Sequence, residues 1–288
     1  MQQPVVHAFF EPQSFTYSYL VWDPVSKEAA VIDPVLDFDA ASGSTCTKFA
    51  QQIIAKVKEH NLTVQWLLET HVHADHLSAA PFLKQQLGGC IGIGSRITEV
   101  QQLFSLVFNI KDLKADGSAF DKLFNDGEDF MLGTLRCSVL HTPGHTPACV
   151  SYCIGDAVFV GDTLFMPDYG SARCDFPGGD AVTLFQSVQK LYQLPDQTRM
   201  FLCHDYKAPG RDEFVCETTI AVQKKLNIHL KQGTSQQDFV TMRTTRDKTL
   251  SMPKLILPSV QVNVRAGQFP AAEDNGTVYL KLPVNLFR

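Results

Sequence analysis

Short apolar runs that each end on His or Asp set the rhythm of this chain. Val64-Gln65-Trp66-Leu67-Leu68 reads as a buried strand and feeds Thr70-His71-Val72-His73-Ala74-Asp75-His76. The alternating stretch Leu135 to Leu140 runs into His141-Thr142-Pro143-Gly144-His145-Thr146. Ala157-Val158-Phe159-Val160 leads to Gly161-Asp162-Thr163, and Met200-Phe201-Leu202 leads to Cys203-His204-Asp205-Tyr206. Further strands are expected at Val5 to Phe9, Tyr17 to Trp22, Glu28 to Asp33, Cys90 to Ile93 and Asp129 to Leu132. Ala148 to Ile154 pairs with Ala157 to Val160 as a hairpin around Gly155-Asp156.

Helices alternate with these strands. From Thr45 to His60, Phe49, Ile53, Ile54 and Val57 recur at helical spacing. Ala79 to Leu87 reads as a helix stopped by Gly88-Gly89. Ile97 to Val107 and Phe214 to Leu230 are helical stretches, and Asp180 to Tyr192 should turn Val182, Phe185, Val188 and Leu191 inward. The polar stretch Asn109 to Asn125 reads as an excursion. Its apolar members Leu113, Phe120, Leu123 and Phe124 either cover a site or pack into the core.

Imidazole and carboxylate are ligand types suited to Zn, Fe and related divalent ions. The first cluster could be a polar loop that happens to be rich in His. The recurrence of His or Asp at other strand ends favours a shared metal site instead. Asp33, after Ala30-Val31-Ile32 and before Pro34, is open to two readings: a turn former, or a carboxylate supporting the metal loop from behind.

Composition narrows the class. The 288 residues are 44% hydrophobic and 19% charged, which fits a soluble globular protein of one large domain or a domain with an extension. A net charge of -5 gives no electrostatic case for nucleic acid or an anionic membrane, and no apolar run reaches the length of a bilayer span. Met1-Gln2-Gln3-Pro4 lacks the basic segment and apolar core of a signal peptide, so a cytoplasmic location is expected. The eight cysteines are then expected as reduced thiols, with Cys149 and Cys153 as packing residues.

The strand-end pattern of His71, His73, Asp75, His76, His145, Asp162 and His204 resembles the metallo-β-lactamase superfamily over about residues 5 to 230. That resemblance implies an α/β fold, an αββα sandwich with its metals at one edge of the two sheets. Residues 1–231 would form the catalytic domain and 232–288 a C-terminal extension packed on it or across a subunit boundary. In the extension, Leu255-Ile256-Leu257 and Thr277-Val278-Tyr279-Leu280 read as short strands. A homo-oligomer stays open.

Within the superfamily, Gly170-Ser171-Ala172-Arg173-Cys174-Asp175-Phe176 resembles the Gly-x-x-Arg-x-Asp-Phe segment of the persulfide dioxygenases. Tyr206-Lys207 and the ending Ile256-Leu257-Pro258-Ser259-Val260-Gln261-Val262-Asn263 resemble the bacterial branch of that family. The resemblance implies one Fe(II) per chain on His71, His145 and Asp162, which are then the catalytic residues. His73, Asp75, His76 and His204 would support those ligands or outline a vacant second metal position. It also implies glutathione persulfide and O2 as substrates. Arg173 is the first choice for gripping a glutathione carboxylate, with Tyr206, Lys207 and Arg211 after it. Two other readings stand beside this one. A dinuclear zinc thioesterase of the glyoxalase II type would use His71, His73 and His145 for one ion, Asp75, His76 and His204 for the other, and Asp162 as bridge. A non-catalytic metal-binding protein is the third.

Overall fold

A computed structural model describes residues 3–286; Met1 and Gln2, at the head of the stretch examined for a leader, lie outside the described residues. The first half runs β1 (Val5–Glu11), β2 (Thr16–Trp22), β3 (Glu28–Ile32), β4 (Val35–Asp39), β5 (Ser44–Cys46), α1 (Lys48–Glu59), β6 (Thr63–Leu68), β7 (Leu77–Ser78), α2 (Ala80–Leu87), β8 (Cys90–Gly94) and α3 (Ile97–Val107). The second runs β9 (Lys122–Phe124), β10 (Asp129–Leu132), β11 (Leu135–His141), β12 (Val150–Ile154), β13 (Ala157–Phe159), α4 (Ala181–Leu191), β14 (Arg199–Phe201), β15 (Glu217–Thr219), α5 (Ile220–Leu226), α6 (Gln236–Asp247) and α7 (Ile256–Asn263).

Two six-stranded sheets form, ordered β1-β2-β3-β6-β8-β9 and β10-β11-β12-β13-β14-β15, with a small sheet β5-β4-β7 beside them. Strand β2 shows why they stack. Every residue of it is buried, so its sheet must be covered on both faces. Its Tyr17, Tyr19 and Val21 join Tyr152, Phe159 and Phe201 of the second sheet, while Leu20 and Trp22 meet Phe49, Ile53 and Val57 of α1. On the far side, Val158 and Met200 pack under Leu184, Val188 and Leu191 of α4 and Phe239 of α6. The layers are thus helix, sheet, sheet, helix, as the resemblance implies.

Several sequence expectations shift. Asp180 caps α4 by accepting Thr183 N–H at 2.7 Å, and the inward face is Ala181, Leu184, Val188 and Leu191, not Val182. The expected helix from Phe214 to Leu230 shrinks to α5, because Glu217–Thr219 first pairs with β14 and Thr219 then caps the helix. Residues 109–125 do not cover a site: Phe120 and Phe124 are buried in two core clusters, and Lys122–Phe124 is an edge strand. Leu255-Ile256-Leu257 enters a helix rather than a strand, with Pro258 in the first turn where a missing N–H costs nothing. Residues 277–280 form no strand. Helix α6 has no apolar stripe to announce it, since its buried face is Phe239, Arg243 and Asp247.

The extension is woven into both cores. Phe239 joins the cluster under α4, and Val260, Val262, Val264 and Ala266 join the cluster under α1 and α2. All eight thiols are free, including Cys149 and Cys153.

Candidate metal centre

The parallel run β3-β6-β8 and the strands of the second sheet end at the same edge, and there the His and Asp residues meet. His71, His73, Asp75 and His76 stand on the loop leaving β6; His145 follows β11, Asp162 follows β13 and His204 follows β14. The two sheets are tied at this edge by Val150 N–H donating to the Thr70 carbonyl at 2.9 Å. Gly161, at φ +52°, lets the Asp162 loop press on Thr70; a Cβ there would lie 2.5 Å from Thr70 Oγ1. Ligand atoms of His71, His145 and Asp162 lie within 4.8 Å of one another, as do those of His73, Asp75 and His76.

Each ring has one nitrogen tied into the protein and one turned to the centre. His71 Nδ1 donates to Thr70 Oγ1 at 3.0 Å, which donates onward to Asp33 Oδ2 at 2.9 Å. That relay leaves the His71 Nε2 lone pair free. His73 is reversed: its Nε2 meets Asp33 Oδ1 at 2.9 Å, leaving Nδ1 for the centre. His145 Nδ1 donates to the Arg173 carbonyl at 2.8 Å, and its Nε2 stands 3.6 Å from Asp162 Oδ2. His204 Nε2 lies 3.3 Å from Asp162 Oδ1 and 3.7 Å from Asp75 Oδ2, within ion-pair range. Asp75 Oδ2 accepts from Thr16 Oγ1 at 3.0 Å and faces His76 Nδ1 at 3.1 Å.

The test of fit is what remains unmet. His71 Nε2, His73 Nδ1, His76 Nε2 and Asp162 Oδ1 are buried without a hydrogen-bond partner. Each such group costs about 1–3 kcal/mol, so four in one place is a heavy charge against the fold. A cation held by His71, His145 and Asp162 would meet two of them, one held by His73, Asp75 and His76 would meet the other two, and the donor set suits such ions.

Electrostatics points the same way at His71 and His145. Burial, helped by His73 and His145, pushes His71 well below its ordinary pKa, and burial lowers His145 against the pull of Asp162. Both are held neutral, the form that binds metal. Burial also disfavours charge on His73, but the facing Asp33 outweighs it and raises that ring. Burial would lift Asp75, yet His204 and His76 hold it well below the usual carboxylate range.

A cavity of about 1140 Å³ opens over this floor, roomy for a drug-sized ligand. Phe165, Tyr169 and Tyr206 form an aromatic wall, with Tyr169 and Tyr206 centroids 5.1 Å apart. Of the expected rim residues, Arg173 and Tyr206 line it and Lys207 and Arg211 do not. Lys207 Nζ lies over the Phe214 ring at 4.4 Å. Arg211 spends its fork on the buried Asp205 and on Asp168, and so holds the loop together outside the cavity lining. Arg173 lies at the rim, but Nε and Nη2 grip Asp175 at 2.6 and 2.7 Å and Nη1 donates to the Ser251 carbonyl at 2.7 Å.

Sequence reasoning passed over several contributors. Thr16 and Thr70 are hydroxyls beside the ligands, and no spacing advertises them. Arg243 Nη1 donates to the Ser171 carbonyl at 3.1 Å, and Asp247 accepts Cys174 N–H at 2.9 Å, so α6 holds the Arg173 loop. Their four-residue spacing was the available signal. Arg246 and Lys254 also line the cavity and, among the described residues, have no side-chain hydrogen bond or ion pair.

The comparisons with known proteins agree with this construction. A sequence model of the metallo-beta-lactamase superfamily matches residues 12–204. A probable metallo-hydrolase of Burkholderia pseudomallei is 52% identical, over 97% of this chain and 99% of its own. The mitochondrial persulfide dioxygenase ETHE1 of Bos taurus is 32% identical, over 91% of this chain and 89% of its own. The crystal structure of ETHE1 from Myxococcus xanthus is 30% identical with a TM-score of 0.73, covering 92% of this chain and 100% of that one. No helix among the described residues is long and apolar enough to cross a membrane. The matched span takes in every candidate strand-end ligand from His71 to His204, and the chain belongs to the metallo-beta-lactamase superfamily.

Proposed function

We propose that the protein is an iron-dependent dioxygenase that converts glutathione persulfide, O2 and water to glutathione and sulfite. The observation that carries the reading is the seat of loop 170–176. This is the segment that resembles the persulfide dioxygenases, and it is built onto a ligand. The Arg173 carbonyl accepts His145 Nδ1–H at 2.8 Å, and the Phe176 ring stands edge-on to His145 at 4.8 Å. The relatives named ETHE1 support the same reading over nearly the whole chain.

Fe(II) on His71, His145 and Asp162 would supply the one-electron chemistry that couples sulfur oxidation to O2 reduction, which Zn(II) lacks. The chain's part is to prepare the site. Burial keeps His71 and His145 neutral, and Thr70 and the Arg173 carbonyl fix their rings. Phe165, Tyr169 and Phe176 exclude water around the reacting sulfur. Arg246 and Lys254, unengaged at the rim, are the cations we assign to the glutathione carboxylates. Arg173 shapes the loop between them.

A second reading keeps a specific support. His73 Nδ1 and His76 Nε2 are orphaned as well, so the donor set accommodates a dinuclear hydrolase, and the Burkholderia relative carries a metallo-hydrolase name. Metal analysis beside oxygen-uptake and thioesterase assays separates the readings. One iron per chain with persulfide-dependent O2 uptake is expected, and His204→Ala should leave that stoichiometry near one. Two ions per chain, both needed for thioester cleavage and with no O2 uptake, would replace the dioxygenase reading. Neither activity would leave a metal-binding protein without catalysis.

A further inference from the structure

Residues 71–76 carry four candidate ligands, and this loop has little backbone support of its own. Among the described residues it makes no turn hydrogen bond. Its carbonyls are held instead by a side chain from the C-terminal extension. Asn263 Nδ2 donates to the carbonyl of His73 at 2.9 Å and to that of His76 at 2.8 Å. Asn263 Oδ1 accepts Ser78 N–H at 2.9 Å, just past the loop. Two carbonyls on one side and an N–H on the other decide which end of the amide is nitrogen. The residue is 5% exposed, so no water competes freely for these bonds.

The amide is presented from a rigid element. Asn263 is the last residue of α7, whose Val260 and Val262 are buried in the core under α1 and α2. On the same helix, Gln261 clamps the following tail, donating to the Lys281 carbonyl at 2.9 Å and accepting its N–H at 2.8 Å. The two peptides that Asn263 grips belong to residues whose orphaned nitrogens, His73 Nδ1 and His76 Nε2, face the centre. The direction of a short-stemmed ring follows its backbone, so fixing those carbonyls fixes where the nitrogens point.

We propose that Asn263 is a positioning residue that sets the geometry of the metal loop, making the C-terminal extension part of the metal centre. The inference rests on metal binding at this loop. Asparagine suits the task because its short amide carries two donors and an acceptor. Aspartate has the same shape but would turn lone pairs toward two carbonyl oxygens, and alanine would leave all three groups unmet.

The test uses Co(II) as the metal, titrated into the full-length apoprotein and followed by visible absorption, with circular dichroism and thermal melts beside it. Wild type is compared with Asn263→Ala, Asn263→Asp and Val262→Ala, the last a buried neighbour on the same helix that touches no polar group of the loop. Asn263→Ala and Asn263→Asp should keep the wild-type far-UV spectrum and weaken Co(II) binding by roughly ten- to a hundredfold, the usual loss when a group behind a metal ligand is removed. Their d–d bands should shift, because the ligand angles change. Val262→Ala should lower the Tm while keeping both affinity and bands. If the alanine variant fails to fold, the aspartate variant, of equal volume, decides. Wild-type affinity and bands in Asn263→Asp would overturn the inference, as would a Val262→Ala protein that loses Co(II) to the same extent. A wild-type protein that binds no Co(II) would overturn the metal reading and this inference with it.

Discussion

At the floor of the cavity, His71, His73 and His76 are buried with ring nitrogens that have no hydrogen-bond partner in the protein. At and around its rim, Arg173, Arg211 and Arg243 are each locked to a carboxylate: Asp175, Asp205 and Asp247. The floor leaves interactions unmade where they are most expensive, while the arginines around it make theirs both near solvent, at Arg173, and in the interior, at Arg243. The difference separates groups kept for something that binds from groups kept for the fold. An orphaned buried nitrogen has no structural excuse. A guanidinium already forked onto a carboxylate has one, however close it stands to the site. By that criterion the cavity-lining cations left for a ligand are Arg246 and Lys254 of the extension and Lys48 at the start of α1.

The largest expected effect breaks the floor. His71→Ala, His145→Ala and Asp162→Ala should each abolish iron retention and turnover, because each removes one of three ligands converging within 4.8 Å. Stripping the metal with a chelator should also destabilise the wild type. A ligand bound at 1,000 times its Kd stabilises the fold by about 4 kcal/mol, which is a loss of roughly 6 °C in Tm at this chain length. Full iron occupancy in the Asp162 variant, or a Tm indifferent to chelation, would break the contrast between floor and rim.

How the two regions appear in the sequence follows from the same physics. The floor was legible because few side-chain types bind divalent metals, His and Asp among them, and strand ends bring them together at recurring, visible positions. His71, His73, Asp75, His76, His145, Asp162 and His204 all arrive at one edge. The sandwich was legible too, since β2, β3 and β13 are apolar enough to be buried on both faces. The rim was not. Arg173 and Arg211 looked available, and only tertiary contact reveals that Asp175 and Asp205 have taken them. The extension was misread for a related reason. Helix α6 buries an Arg-Asp pair instead of an apolar stripe, and Pro258 and the β-branched residues of α7 disguise a helix as a strand.

A middle-sized effect sharpens the contrast within the rim. Arg246→Ala and Lys254→Ala should keep their iron and lose about tenfold or more each in kcat/KM for glutathione persulfide. Removing a charge-assisted hydrogen bond costs about 1.5–3 kcal/mol, and each 1.4 kcal/mol is roughly a factor of ten. Persulfides without the glutathione carboxylates should be indifferent to both changes. A full substrate titration at wild-type values for both variants would return the carboxylate role to Arg173.

The smallest effect on catalysis comes with a clear effect on the fold. Arg211 gives Nη1 and Nη2 to Asp205, which is fully buried and also accepts the backbone N–H groups of Lys207 and Val215 at 2.9 and 2.7 Å. Asp205 follows the candidate ligand His204 directly, so the ion pair anchors the loop without entering the cavity. Arg211→Ala leaves that carboxylate its two backbone donors and takes away its countercharge. The expected loss is about 2 kcal/mol of stability, or roughly 3 °C in Tm, with iron content unchanged and kcat/KM within about twofold of wild type. Arg211→Lys should recover part of the Tm, because an ammonium restores the charge and not the fork. This pattern is the inverse of the one expected for Arg246→Ala, where turnover falls and the Tm holds. A variant at Arg211 that melts like wild type yet loses tenfold in kcat/KM would move that guanidinium from the fold to the substrate.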